Sequence, residues 1–432
     1  MLPAASEIRF RETEVHRVLA TPSAYLISLQ VTAVVAAYVN YVQNRINSEA
    51  WLLFGQAPGI YIPFFAFPLT FLLWLACREW ASRSLWTVVF LAVLAVSWSL
   101  HFALFRSHGD LYVHTIWLFL LGLLLLLAKP PTWESARLTL QALAWSILAL
   151  AALTLLLERL GVIPQAFPGG PEVIAWQEGR YWLPLQDALG IEGRWPGPYG
   201  SNQKTAFMAV ISIIVGAASR SWNRWVLMAG GLVVLLLTGS RGGFFALALG
   251  LFILALFWRP PRKKQIPVSV RITGTVLVLL GASMFLYQQG GLGLTGRVEL
   301  WAGFFDLWRA SPWIGIGQTG ISTSPAVVTW MDPSWMDAHS IYVQEITRYG
   351  VVGSIFAFGG LLVGLGAAIV AAIRRWSLPL ALMVAYLGAG ITEVLHDGWQ
   401  LLSTHVVMLI VVVLGAVAWN GDHVTRQYGD SS

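Results

Sequence analysis

Charge is what this sequence has least of. Of its 432 residues only 11% are Asp, Glu, Lys or Arg, against roughly 25% in an ordinary soluble domain. That shortfall excludes a water-soluble globular protein. A single cysteine, Cys77, excludes an internal disulfide and any multi-thiolate metal site; its apolar surroundings suit a buried lipid- or helix-facing thiol. The sequence has no H-x-x-x-H, no phosphate-binding loop and no G-x-S-x-G nucleophile elbow. Metal-dependent and ATP-driven chemistry are therefore unsupported, and no cofactor, metal or nucleotide is expected. The first twenty residues alternate acids and bases, with no apolar core before Ala24, so they do not read as a cleaved signal peptide.

What the sequence has in quantity is apolar length. Hydrophobic residues make up 57% of it, mean hydropathy is +0.67, and apolar runs of about 17–22 residues recur, each able to cross ~30 Å of hydrocarbon. The pattern predicts an all-α polytopic membrane protein, a single integral membrane domain over 1–432. About twelve transmembrane helices are expected, near 22–42, 60–77, 85–105, 111–128, 138–157, 204–218, 225–238, 243–257, 272–288, 351–373, 378–395 and 400–419. With the N-terminus in the cytoplasm, every inside segment carries Lys or Arg, 17 of the 27 in all. An even span number returns the C-terminus to the cytoplasm. The net charge of +6 then reflects a basic cytoplasmic surface facing anionic lipids, not a nucleic-acid partner.

Two long loops fall on the outer face, 158–203 and 289–350. The first is rich in Pro, Gly, Trp and Tyr, which suits a structured surface loop. In the second, Arg297, Trp301, Phe304, Phe305 and Trp308 follow helical spacing and describe an amphipathic helix with an aromatic face. Such a helix either lies at the membrane interface or packs on the protein itself. Ser311-Pro312 ends it, and Gly315, Gly317 and Gly320 make a flexible turn.

Ten basic residues lie where the inside bias does not want them: Arg45, Arg106, Arg159, Arg180, Arg194, Lys204, Arg241, Arg297, Arg309 and Arg348. Arg45, Arg106 and Arg159 sit at span ends and can snorkel to water. Arg241 is different: it lies inside Leu-Leu-Leu-Thr-Gly-Ser-Arg-Gly-Gly-Phe-Phe, at or within the membrane. A cation at depth costs about 2.5–3.5 kcal/mol, so it must face a polar cavity, an anion or an internal acid. The flanking glycines let a backbone approach a ligand. Arg194, in the turn-dense Glu192-Gly193-Arg194-Trp195-Pro196-Gly197-Pro198-Tyr199, is either held over a membrane-surface site or paired with Glu192. Arg297 is an anion ligand or an interfacial anchor. His339, in Asp337-Ala338-His339-Ser340-Ile341-Tyr342, stands at a helix start with Asp337 as candidate N-cap. A neutral histidine there can take a proton from a hydroxyl near pH 7, although a lone histidine is more often structural.

Four segments, in order, resemble the O-antigen ligase and polymerase superfamily of bacterial envelopes. They are Gly193-Arg194 with Pro198 and Ser201-Asn202; Thr238-Gly239-Ser240-Arg241-Gly242-Gly243; Gly296-Arg297 with Trp301 and Ser311-Pro312-Trp313-Ile314-Gly315-Ile316-Gly317; and Ala338-His339-Ser340 with Tyr342, Glu345 and Tyr349-Gly350-Val351-Val352-Gly353. Ser340 stands where the family usually has Asn. The resemblance implies a GT-C-type glycosyltransferase of the bacterial inner membrane. It would take a polysaccharide from undecaprenyl diphosphate at the periplasmic face and attach it to a sugar hydroxyl. In ligases the acceptor is lipid A–core; in polymerases it is a growing chain of lipid-linked repeat units.

That chemistry suits the residues. The leaving group is a lipid diphosphate, and arginine forks can neutralise the charge that builds on its oxygens without a divalent cation. In this reading Arg194 and Arg241 clamp the diphosphate, Arg297 and Tyr342 add contacts to diphosphate or glycan, and His339 is the general base of an inverting attack. The ligase is favoured over the polymerase. A lipid-linked glycan transporter would need charges along a path through the bilayer, and a scaffold would not need the ordered arginine segments.

Overall fold

The computed structural model describes residues 133–162, 195–199, 201–219, 222–257, 297–317, 338–374 and 376–392. Every regular element among them is helical: α1 (Trp133–Arg159), a short 3-10 turn (Gly197–Tyr199), α2 (Asn202–Ala218), α3 (Asn223–Thr238), α4 (Arg241–Phe257), α5 (Arg297–Ala310), α6 (Ile341–Ile373) and α7 (Leu378–Thr392). The all-α expectation holds for these residues. The expected spans at 138–157, 204–218, 225–238, 243–257, 351–373 and 378–395 fall on α1, α2, α3, α4, α6 and α7. Those at 22–42, 60–77, 85–105, 111–128, 272–288 and 400–419 lie outside the described residues, as does Cys77.

One helix, Leu140–Arg159 within α1, is long and apolar enough to cross a membrane. Three others are shorter: α2, α3 and α4 have 17, 16 and 17 residues, about 24–26 Å at 1.5 Å per residue. The outward faces of α1, α3 and α6 carry apolar side chains. Leu153, Leu156, Leu232, Val233, Ile355, Leu362 and Ile373 are all exposed, a surface that favours hydrocarbon over water.

The helices pack side by side, and the contacts define two ends of a bundle. At the far end the Gln141 amide donates to Ser219 Oγ (3.0 Å), and the Arg224 guanidinium lies 4.5 Å above the exposed Trp225 ring. At the near end Trp195 Nε1 donates to Glu158 Oε2 (2.8 Å), and the Trp195 N–H donates to the Leu237 carbonyl (3.0 Å). Small residues let the helices close up. Gly231 lies against Ile213, Gly243 against Ala206, Gly388 against Leu249 and Gly390 against Ile341. The buried core runs between them through Leu143, Ile147, Phe207, Ile214, Leu235 and Tyr386, with Phe207 and Tyr386 edge-to-face at 5.7 Å.

α6 is two helical segments. Gly350 takes φ 61°, ψ −169°, a conformation essentially confined to glycine. It turns the chain back so sharply that Tyr342 and Phe358, eight residues to either side, meet at 5.6 Å between ring centroids. The segment before the bend bonds the tip of α7, where Tyr342 Oη donates to the Leu387 carbonyl (2.7 Å) and Ser340 Oγ to that of Gly390 (3.4 Å).

α5 packs on that first segment. Phe304 is buried with Ala338 and Val343, and Thr347 Oγ1 donates to the Phe304 carbonyl (3.3 Å). Of the two placements open for the amphipathic helix, its aromatic face meets the protein. Phe305 and Val298 remain exposed.

Candidate functional site

Arg241 opens α4 directly after α3 ends. Gly239 supplies the left-handed residue (φ 56°) that closes α3, a position glycine fills without a Cβ clash. Ser240 then caps α4, its Oγ accepting from the Gly243 N–H at 3.1 Å. The polar interruption visible in the sequence is therefore a stop–start between two helices, and Arg241 sits half-buried on a helix N-terminus. Unsatisfied N–H groups and the helix dipole add partial positive charge at that point.

A second cation lies close in the fold. Lys204 is in the first turn of α2 and only 7% exposed. The Ala206–Gly243 contact brings α2 and α4 together two residues beyond Lys204 and Arg241 respectively. The sequence reading counted Lys204 among the outside basic residues and gave it no role. Its burial is a tertiary fact with no local signal beyond a cation at the start of an apolar run.

The 195–199 segment fills the notch beside them. Thr205 Oγ1 donates to the Pro196 carbonyl. Gly197 (φ +59°) lies so close to Thr205 that a Cβ would stand 2.5 Å from its methyl group. Trp195, Pro198 and Tyr199 are all buried. Arg194 itself lies outside the described residues; its chain neighbour Trp195 is bonded to Glu158 and to the end of α3. The buried Glu158, not singled out in the sequence, is thereby a fixed part of this end.

His339 joins the same end from another direction. Its φ is +45°, and among the described residues it is the one non-glycine with positive φ, at a cost of roughly 1–2 kcal/mol. The N-cap that follows is Ser340, where the sequence reading offered Asp337, a residue outside the described set. Ser340 takes that place because its own extended backbone (φ −155°) already leads into the helix, and its hydroxyl is spent on Gly390. The His339 ring is half-buried, with Nε2 shielded from solvent.

Tyr342, three residues on, commits its hydroxyl proton to Leu387, and burial raises its pKa, keeping it neutral. It offers a ligand its ring face and an oxygen lone pair. Arg297 begins α5, half-buried. One turn further along, Trp301 Nε1 donates to the Ala338 carbonyl at 2.8 Å, next to His339.

The packing of α4 on α7 and of α6 on α7 puts these parts at one end. Phe245 and Leu249 meet Gly388, and Ile341 meets Gly390. Arg241 is one helical turn before Phe245, and His339 is two residues before Ile341. Arg241, Lys204, Arg297 and His339 thus share the near end, where α2, α4, α5 and α6 all begin. Four helix N-termini and three cationic side chains make that end a place for an anion.

Residues 226–358 match the sequence model of the O-antigen ligase family. The match, over less than half of the chain, supports a likeness to the O-antigen ligase/polymerase family. The match takes in Arg241, Arg297, His339 and Tyr342 and stops short of Arg194. That family is a glycosyltransferase-like family of membrane enzymes. No match is found among curated proteins.

Proposed function

We propose that the protein is an O-antigen ligase that transfers polysaccharide from undecaprenyl diphosphate to a sugar hydroxyl of lipid A–core. About twelve spans would carry it through the bacterial inner membrane, with the near end at the periplasmic face. The observation that carries this reading is the convergence of Arg241, Arg297 and His339 where several helices begin, inside a segment matching the ligase family.

Breaking the bond between glycan and carrier leaves charge on a diphosphate. Arg241 and Arg194 would clamp its oxygens, with Arg297 a further ligand and Tyr342 a contact to diphosphate or sugar. Charge-assisted bonds of this kind contribute about 1.5–3 kcal/mol each. Guanidinium groups hold planar pairs of phosphate oxygens without a divalent cation. His339 would take the proton of the acceptor hydroxyl as that oxygen attacks the anomeric carbon from the face opposite the diphosphate. One displacement of this kind inverts the anomeric configuration. Lys204 adds positive potential from beneath.

The test is transfer by purified protein in proteoliposomes, with EDTA and without ATP. Undecaprenyl-diphosphate polysaccharide is supplied with either lipid A–core or further lipid-linked repeat units. Glycan on lipid A–core, lost in His339→Ala with donor binding kept, is the expected result. Chain growth on the carrier alone would make the protein a polymerase working with the same residues. Donor crossing the bilayer with no bond formed would make it a transporter.

A further inference from the structure

We infer that Gln344 and Trp301 are positioning residues for His339, both acting through the Ala338 peptide. This rests on His339 being the base of the reaction proposed above.

Ala338 is fully buried, and both of its backbone polar groups are held by side chains from different helices. Its N–H donates to Gln344 Oε1 at 2.7 Å. Its carbonyl accepts from Trp301 Nε1 of α5 at 2.8 Å. Gln344 is itself fully buried, so no water replaces its oxygen if the side chain is removed.

On the other side of His339, Ser340 is fixed as firmly. Its carbonyl accepts from the Gln344 N–H at 3.0 Å, and its hydroxyl donates to Gly390. His339 is therefore flanked by two residues, Ala338 and Ser340, that are each held in place by hydrogen bonds. Its left-handed φ of +45° is unfavourable for a side chain with a Cβ and persists only while the surroundings impose it.

The use of Gln344 is the informative detail. A helix start needs a side-chain acceptor for its own first N–H groups, yet Ser340 makes no such bond. Gln344 instead reaches back past the cap to a residue before the helix, where its bond fixes the peptide ahead of His339. Trp301 extends the same control to α5, so the aim of the imidazole depends on that helix staying docked. Small errors in the placement of a reacting group cost rate without weakening ground-state binding.

The test uses full-length protein in proteoliposomes with the acceptor on which the wild type is active. Gln344→Leu and Trp301→Phe are compared with His339→Ala and with Trp308→Phe. That last change removes an indole bond of the same kind on the same helix, to the Pro312 carbonyl. Gln344→Leu and Trp301→Phe should each lower kcat by roughly 10- to 100-fold, with donor KM within about threefold and unfolding still cooperative. Trp308→Phe should stay near wild type. Trp301→Phe keeps an aromatic ring at that position, with the same loss of volume as the Trp308→Phe control, and so remains informative if Gln344→Leu does not fold.

Wild-type kcat in Trp301→Phe, a rise in KM at unchanged kcat, or an equal loss in Trp308→Phe would each overturn the positioning role. If these occur while His339→Ala is inactive, the base assignment stands alone. Near wild-type turnover in His339→Ala would instead remove the base and this inference with it.

Discussion

Gly350 and Gly315 face each other with no room for a side chain on either. A Cβ on Gly350 would stand 2.5 Å from the Gly315 nitrogen, and one on Gly315 would stand 2.5 Å from the Tyr349 nitrogen. Both residues have positive φ. The contact seats the loop after α5 on the bend of α6, where the chain restarts as a helix and its first N–H groups have no partner in the helix itself. The loop supplies them. Val351 N–H donates to Pro312 O (2.8 Å), Val352 N–H to Trp313 O (3.0 Å), and Ile316 N–H returns a bond to Thr347 O (3.0 Å).

Alanine at Gly350 or Gly315 should therefore destabilise the protein by about 2 kcal/mol or more, from left-handed strain plus a backbone clash. Gly303, inside α5 with nothing within 4 Å of an added Cβ, should respond in the opposite sense and gain roughly 0.5–1 kcal/mol. Thermal unfolding in detergent measures all three. Equal shifts in Gly350→Ala and Gly303→Ala would mean that the close approach is not there.

The apolar runs were legible because hydrophobic length survives as a local signal. The start of the 351–373 span fell one residue past the bend at Gly350, where polar Gln344, Glu345, Thr347 and Arg348 give way to Val351 and Val352. Arg241 and His339 stood out for the same reason, each a polar group in a setting that taxes polarity. Gln344, Glu345 and Arg348 gave no such sign. Only the packing of α5 and α7 around them makes them buried. The φ of His339 was equally hidden, since residues far along the chain impose it. The turn at Gly315 and Gly317 read as flexible from composition, whereas the glycines of that loop serve close packing.

Trp195→Phe should cost about 1.5–3 kcal/mol, because it leaves the buried Glu158 carboxylate without an indole donor. It should also slow transfer, since the Trp195 indole ties the residue after Arg194 to Glu158 at the end of α1. Glu158→Gln keeps an acceptor for the indole and should be milder. Melting temperature and transfer rate, measured on both variants, separate the two effects. Trp195→Phe with wild-type stability would show the buried bond to be dispensable.

The Tyr199 hydroxyl is buried with no hydrogen-bond partner among the described residues. Removing it in Tyr199→Phe should be neutral or should stabilise by up to about 1 kcal/mol near pH 7. Burial pushes the phenol pKa up from its ordinary value of about 10. The unfolded chain therefore loses this proton first, and the stability that the neutral phenol carries is complete below about pH 10 and falls as pH rises above it. Melts between pH 8 and 11 should show a shallower alkaline loss in Tyr199→Phe than in the wild type. A clear loss of stability at pH 7 would mean that the hydroxyl has a partner after all.

Arg241 carries the sharpest test of how the leaving diphosphate is held. Arg241→Ala should lower kcat/KM by about 10- to 100-fold, the equivalent of one charge-assisted contact of roughly 1.5–3 kcal/mol. Arg241→Lys keeps the charge at the α4 N-terminus but loses the planar fork, so it should recover part of the rate and not all of it. EDTA should change neither the wild type nor the Lys variant if, as proposed, arginine does the work that a divalent cation does elsewhere. Full activity in Arg241→Lys would reduce the guanidinium to a point charge. Full activity in Arg241→Ala would mean that Arg241 caps the bundle for structural reasons, with the diphosphate held by other groups.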